Sequence, residues 1–279
     1  MKLTGLFKRN PWLFTGIIMI TFFMLAALFS PWLAPHDPWQ YQQPFLEPSW
    51  QHLLGTNDVG QDIFSELLTA GRVSLGVGFT AALIAAVTGV AIGILAGFRR
   101  GILDEILMGA TDVVLVIPIL PLVVLVSVYL GPGLLNTSLL IGFTMWPPVA
   151  RVIRSRVLNL RQAGFVESAR ALGAGDWWIM SRHVLPNVLP LVLAKFVLTL
   201  AGAMLIEASI SFLGLGDPSA KSWGMMLHYV FTRGGFIREM WWWYLPPGMA
   251  IALVILALNL VNLGFEEKAD PRLKRVLER

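Results

Sequence analysis

The stretch 73–98, VSLGVGFTAALIAAVTGVAIGILAGF, runs for 26 residues without one charged side chain. As an α-helix it extends about 39 Å at 1.5 Å per residue, more than the roughly 30 Å of a bilayer's hydrocarbon core. Ala81, Ala85, Gly89, Gly93 and Gly97 recur at every fourth position, so one helix face is paved with small side chains. Lipid supplies no hydrophobic drive for helix association, and contact distance decides the packing. These five residues are therefore expected to seat another helix rather than a substrate.

Further uncharged blocks lie on either side. Ile106–Leu130 reads as a third span holding only Asp112, and Gly131-Pro132-Gly133 as a turn. Leu134–Ala150 is a short fourth span containing Pro147 and Pro148. Asn187–Gly214 is a fifth, carrying Lys195 and Glu207, and Trp241–Phe265 a sixth, opened by the interfacial aromatics Trp241, Trp242, Trp243 and Tyr244. Towards the N-terminus, Asn10–Pro35 has no charge and exceeds the ~7–15 apolar residues of a signal peptide. It reads as an uncleaved first helix. The expected fold is an all-α membrane protein with six transmembrane helices. Composition agrees, since 14% of residues are charged where a soluble chain carries about 25%. The net charge of +4 is too small to argue for nucleic acid.

Lysine and arginine set the orientation. With the N-terminus inside, sixteen fall in inside segments and four outside, with Lys195 within a span. The positive-inside rule then places both termini in the cytoplasm. Residues 1–10 form the cytoplasmic N-terminus, 11–34 the first membrane helix, 35–70 an extracytoplasmic segment, and 266–279 a cytoplasmic tail. Residues 151–186 form a long cytoplasmic loop with helical pattern. Phe165, Ala169 and Leu172 share a helix face at i, i+4, i+7. Gly173-Ala174-Gly175 breaks that helix in a left-handed cap, Asp176 is placed to N-cap a second one, and Pro186 stops or kinks the chain before the fifth span.

Enzyme signatures are missing. Neither HExxH nor GxSxG occurs, and the only Lys-Ser pair, Lys221-Ser222, follows Leu215 and Ala220 where a phosphate loop requires glycines. The four histidines, His36, His52, His183 and His228, are scattered, and no two are spaced to share an ion, so no metal site is expected. Glu207 is the candidate pathway residue because an ionisable group inside a span is functional by default. A helix–helix hydrogen bond is its alternative role. Three isolated intramembrane charges give little support to an ion-coupled secondary transporter, which would also show an inverted repeat.

The inside loop reads Glu167-Ser168-Ala169-Arg170-Ala171-Leu172-Gly173, then nine residues, then His183-Val184-Leu185-Pro186. This resembles the EAA loop of ABC importer permeases, E-A-A-x-x-x-G-x(9)-I-x-L-P, with Ser168 and His183 as departures. Residues 52–62, HLLGTNDVGQD, resemble the H-x-L-G-T-D-x-x-G-R-D segment of the dipeptide/oligopeptide/nickel permease group, with Gln61 where arginine is usual. Residues 71–75, 207–216, 222–224, 246–248 and 270–272 carry further likenesses to that group. The resemblance covers about residue 50 onwards and is to the second permease subunit.

What the resemblance implies is a MetI-like, type I importer architecture, with a permease domain of five helices over residues 71–265 and residues 151–186 as its coupling loop. It also implies a homologous second permease, two cytoplasmic ATPase subunits that bind ATP and Mg2+, and an extracytoplasmic substrate-binding protein. The chain itself would need no cofactor and would be no enzyme. By the same resemblance, Glu167, Ser168, Ala169, Gly173, His183, Leu185 and Pro186 couple the spans to the ATPase. The expected cargo is a di- or oligopeptide, with a nickel or other metal chelate, or an oligosaccharide, as the alternative.

Overall fold

A computed structural model describes residues 10–269, with side chains as far as Phe265. The expected cytoplasmic residues 1–9 and the stretch Asp270-Pro271-Arg272 lie outside the described residues. Helix α1 (Pro11–Leu28) starts on an Asn10 cap whose Oδ1 accepts from the Leu13 N–H at 3.0 Å, with Pro11 preset for the first turn. A short α2 (Ser30–Leu33) follows. Apart from Gly16 and Ala27, α1 leaves its apolar side chains unburied, as a lipid-facing helix would.

Helix α3 (Ile63–Arg99) begins ten residues before the uncharged stretch, because the last residues of the 35–70 segment are already helical. Asp62 caps it, its Oδ2 accepting from the Ser65 N–H at 2.8 Å. The third span departs from expectation. It is two helices, α4 (Ile102–Val116) and α5 (Ile119–Leu130), bent by 90°. Pro118 explains the break, since proline lacks the N–H a continuing helix needs and forces the preceding residue out of helical geometry. Ile117 is accordingly extended, at φ −74° and ψ 125°.

Helix α6 (Leu134–Arg161) carries Pro147 and Pro148 within it and continues eleven residues past Ala150. What remains of the expected loop 151–186 is α7 (Gly164–Ala171), α8 (Asp176–Ile179) and a π-helical turn at Met180–Val184, which runs straight into α9 (Leu185–Phe212). Pro186 therefore does not stop the chain. The wider π turn, in which the Leu185 N–H reaches Met180 O, carries the helix through the proline. Helices α10 (Trp223–Thr232) and α11 (Trp241–Ala269) complete the described chain.

Among the described residues, four helical stretches are long and apolar enough to cross a membrane: Pro11–Leu28, Ile63–Arg99, Asp176–Phe212 and Trp241–Phe265. The α4–α5 pair raises the number to five if it counts as one crossing. The polar residues and two prolines of α6 dilute its apolar run. The fold is all-helical with four to five candidate spans, and the expected six is not reached on this measure.

Helix α3 is the central strut, with α6 packed along one side and α9 along another. Ile94 and Phe98 of α3, Ile153 and Val157 of α6, and Val184 and Val188 near the start of α9 share one buried cluster. The second cluster joins Ala70 of α3 to Trp223 of α10 and Trp243 of α11.

Candidate functional site

The small-residue face of α3 lies on α6. A side-chain carbon added at Gly89 would sit 2.8 Å from Trp146 O, one at Gly93 2.7 Å from Ala150 O, and one at Gly97 2.9 Å from Arg154 O. Ala81 and Ala85 are fully buried, and Gly142 of α6 returns the arrangement, lying against Ile84 and Ala81 O. Missing side chains let the two backbones touch. The ends of α3 and α6 thereby form a firm base for the segment that follows.

That segment is Ala163–Pro186. Val166 and Ala169 turn inward against Phe98, Ile153, Val157 and Ile179. The face expected from Phe165, Ala169 and Leu172 is thus not the one buried within this chain. Phe165 points out, and Leu172 is 88% exposed. Helix α7 ends as anticipated at Gly173, whose φ is +84°. The Gly173 N–H donates to Arg170 O at 2.9 Å and the Ala174 N–H to Ala169 O at 3.0 Å, the paired closure of a Schellman cap. A side-chain carbon at Gly173 would meet nothing within 4 Å among the described residues.

Asp176 does not cap α8. Gly175 holds that position, and Asp176 faces Arg99 at 3.4 Å, tying α8 to the end of α3. His183 is half-buried between the rings of Trp178 (5.0 Å) and Phe165 (5.8 Å). Glu167, Ser168, Leu185 and Pro186 are exposed. With Leu172, Trp177 (68% exposed) and Trp178, they make a surface on which large apolar side chains stand beside charges. An apolar groove of about 700 Å³ runs from this surface between α3 and α9, past Trp177, Met180 and Leu185 to Leu83 and Phe79.

Glu207 is buried, and lines neither this groove nor the smaller cavity near Arg72. It accepts from Ser211 Oγ at 2.8 Å and from Ser74 Oγ of α3 at 3.3 Å. Ser74 Oγ in turn accepts the Trp223 N–H at 3.1 Å. The carboxylate thus joins α3, α9 and α10, the helix–helix role named as its alternative.

Several partnerships were invisible in sequence. Arg154 grips Asp104 through two bonds of 2.6 Å, and Arg151 pairs with Asp112, together clamping α4 to α6. Beside Asp104, the Arg154 guanidinium is held above its ordinary pKa by the hydrogen bonds to that carboxylate. At the other end of α3, buried Lys221 donates to Glu66 Oε1 at 2.9 Å and to Gln61 Oε1 at 2.7 Å. Gln61, the departure from the resembled segment, therefore has a cation beside it, drawn from residue 221. His36 and His52 also meet, their ring centroids 4.6 Å apart beside Asp62. The expectation that no two histidines could share an ion fails here, because residues 35–62 fold back on themselves.

Comparison with known proteins supplies the family. Residues 89–275 match the family of the binding-protein-dependent transport system inner membrane component, and residues 6–48 match the N-terminal TM domain of oligopeptide transport permease C. The di/tripeptide transport system permease protein of Pseudomonas aeruginosa is 34% identical over 277 residues, covering 96% of this chain and 90% of the relative. A protein of Escherichia coli K12 named a probable D,D-dipeptide transport system permease is 35% identical over 275 residues, covering 97% and 91%.

Proposed function

Because the chain belongs to the family of binding-protein-dependent transport system inner membrane components, we propose that it is one permease subunit of an ATP-driven importer of di- or oligopeptides. The relatives' names support the peptide cargo. In this reading the chain crosses the membrane six times, with α6 and the bent α4–α5 pair each counting as one crossing, and both termini are cytoplasmic. Residues 35–70 face out, towards the binding protein, and 71–265 form the permease domain. A homologous permease completes the pathway. Two ATPase subunits inside bind ATP and Mg2+, so transport needs no cofactor and no catalytic residue from this chain.

The observation that carries the proposal is the Ala163–Pro186 segment. It is anchored by buried Val166, Ala169, Ile179 and Val184 on the ends of α3 and α6, while Leu172 and Trp177 stand unburied. A partner that pushes on this surface moves α3, α6 and α9 together, because the buried cluster behind it contains all three. Glu167, Ser168, Gly173, His183, Leu185 and Pro186 are the coupling residues on this view, with Ala169 as their inward anchor. Gly173 is the sharpest probe. An L-residue in its left-handed conformation costs about 1–2 kcal/mol, and its Cβ would meet nothing within 4 Å among the described residues. The fold should therefore survive Gly173→Asp, while a partner seated against the loop would not tolerate it.

The test reconstitutes the complex with Gly173→Asp or Glu167→Ala and follows insertion, ATPase co-purification and peptide uptake. The expected result is normal insertion with uptake lost and the ATPase released or uncoupled. Normal uptake with Gly173→Asp refutes the docking role. Uptake of a metal chelate or oligosaccharide instead of peptide by the wild-type complex would replace the cargo and leave the machinery as proposed.

A further inference from the structure

Three segments that the sequence keeps apart converge at the start of α3. His36 follows α2, His52 lies in the loop beyond, and Asp62 caps α3. Asp62 Oδ1 is 2.9 Å from His52 Nδ1 and 3.7 Å from His36 Nδ1. The ligand atoms of all three residues lie within 4.8 Å of one another. From this geometry we propose that His36, His52 and Asp62 form a binding site for a divalent transition ion of the Zn2+ class, independent of the transport reading above.

The chemistry fits that ion. Two imidazole nitrogens and one carboxylate oxygen are a common three-ligand set for zinc, leaving a fourth position for water. The aspartate is already fixed, because its second oxygen is held by Ser65 through the N–H at 2.8 Å and Oγ at 2.7 Å. Outer contacts of this kind orient a ligating carboxylate. His36 is fixed too, its backbone N–H donating to Ser65 Oγ at 3.2 Å and its ring lying on that of His52. Its Nδ1 is buried yet has no hydrogen-bond partner among the described residues. That nitrogen faces Asp62 Oδ1 at 3.7 Å, and a cation seated between them would take a lone pair from each.

The two carboxylate–imidazole separations need only small adjustment. Ligands about 2.0–2.2 Å from a tetrahedral zinc stand roughly 3.3–3.6 Å apart, between the 2.9 and 3.7 Å of the two carboxylate–imidazole distances, while the two imidazole nitrogens, within 4.8 Å of each other, draw together on binding. To bind through Nδ1, neutral His52 carries its proton on Nε2, so the Nδ1–H bond to Asp62 is exchanged for two bonds to the ion. A cavity of about 450 Å³ opens beside His36, with Asp37, Thr69 and Arg72 also on its wall. The bound ion would clip residues 36 and 52 to the first turn of α3. The competing explanation is a plain His52–Asp62 hydrogen bond with His36 merely stacked on it.

Full-length protein, purified in its complex on an affinity tag without histidines, distinguishes the two. Zn2+ alone is titrated by calorimetry, and Co2+ alone is followed by its visible ligand-field bands. His36→Phe keeps the ring stacked on His52 and removes one ligand, so its metal-free melting temperature should match wild type. One Zn2+ per chain is expected, with tetrahedral cobalt bands and a melting temperature raised by the ion. His36→Phe should weaken binding by at least about 100-fold, the upper end of what even outer-shell changes cost, and should abolish the thermal shift. His228→Ala should change neither. Equal affinity in wild type and His36→Phe overturns the proposal, as does the lack of saturable binding in wild type. Binding lost through His183→Ala or His228→Ala instead also overturns it, by placing the ion elsewhere.

Discussion

Substituting Gly93 by alanine tests the packing of α3 on α6 directly. The added carbon would lie 2.7 Å from Ala150 O and 2.8 Å from Ile153 Cβ. A carbon ordinarily stays about 3.3–3.6 Å from a carbonyl oxygen, so α6 must retreat by roughly 0.6 Å or more. The obstacle is backbone, and no rotamer change relieves it. Overpacking of this kind costs about 1–3 kcal/mol. Alanine returns up to about 1 kcal/mol of helix propensity over glycine, so the net loss is about 0–2 kcal/mol. Gly76→Ala on the same helix isolates the propensity term, since its new carbon meets nothing within 4 Å. The two variants should differ by about 1–3 kcal/mol, at about 2–4 °C of melting temperature per kcal/mol. Thermal unfolding in lipid nanodiscs reads that difference. Gly89→Ala, which meets Trp146 O at 2.8 Å, should cost less in the Gly93→Ala background than alone, because one retreat of α6 relieves both clashes. If Gly93→Ala melts as high as Gly76→Ala, close approach is not what glycine serves here, and the argument from spacing fails.

Two further outcomes are expected. Lys221→Met should destabilise by about 3–5 kcal/mol by leaving a buried carboxylate uncompensated, Lys221 and Glu66 side chains being only 5% and 2% exposed. The double variant Lys221→Met/Glu66→Gln should recover much of that loss in the same melting assay; an equal loss in the double would refute the ion pair. An impermeant thiol reagent applied to intact cells should label a cysteine placed at Gln43 and spare one at Ser168, and the reverse pattern would invert the proposed orientation.

The cap at Gly173 and the packing face at Gly89, Gly93 and Gly97 could be read from sequence because each is local. A glycine ending a short amphipathic run, or small residues four apart, report their own helix through backbone preference and period alone. Pro118 was an equally local signal. Its ring breaks α4 from α5 by the same backbone chemistry, and the long apolar run of 106–130, broken only by Asp112, masked it. Pro186 shows the reverse case, where a local breaker is overruled because a π turn absorbs its missing N–H.

The sequence by itself determined the membrane class, the helical fold and the likeness of the Glu167–Pro186 loop to its family, because hydropathy runs, charge bias and motif spacing are properties of the linear chain. Tertiary structure alone decided which face of α7 turns inward, that Arg154 holds Asp104, that Lys221 crosses to Glu66 and Gln61, and that His36 reaches His52. Each of these depends on where distant segments come to rest. A side chain's periodicity carries information about its own helix and none about the partner that the fold brings within 3 Å of it.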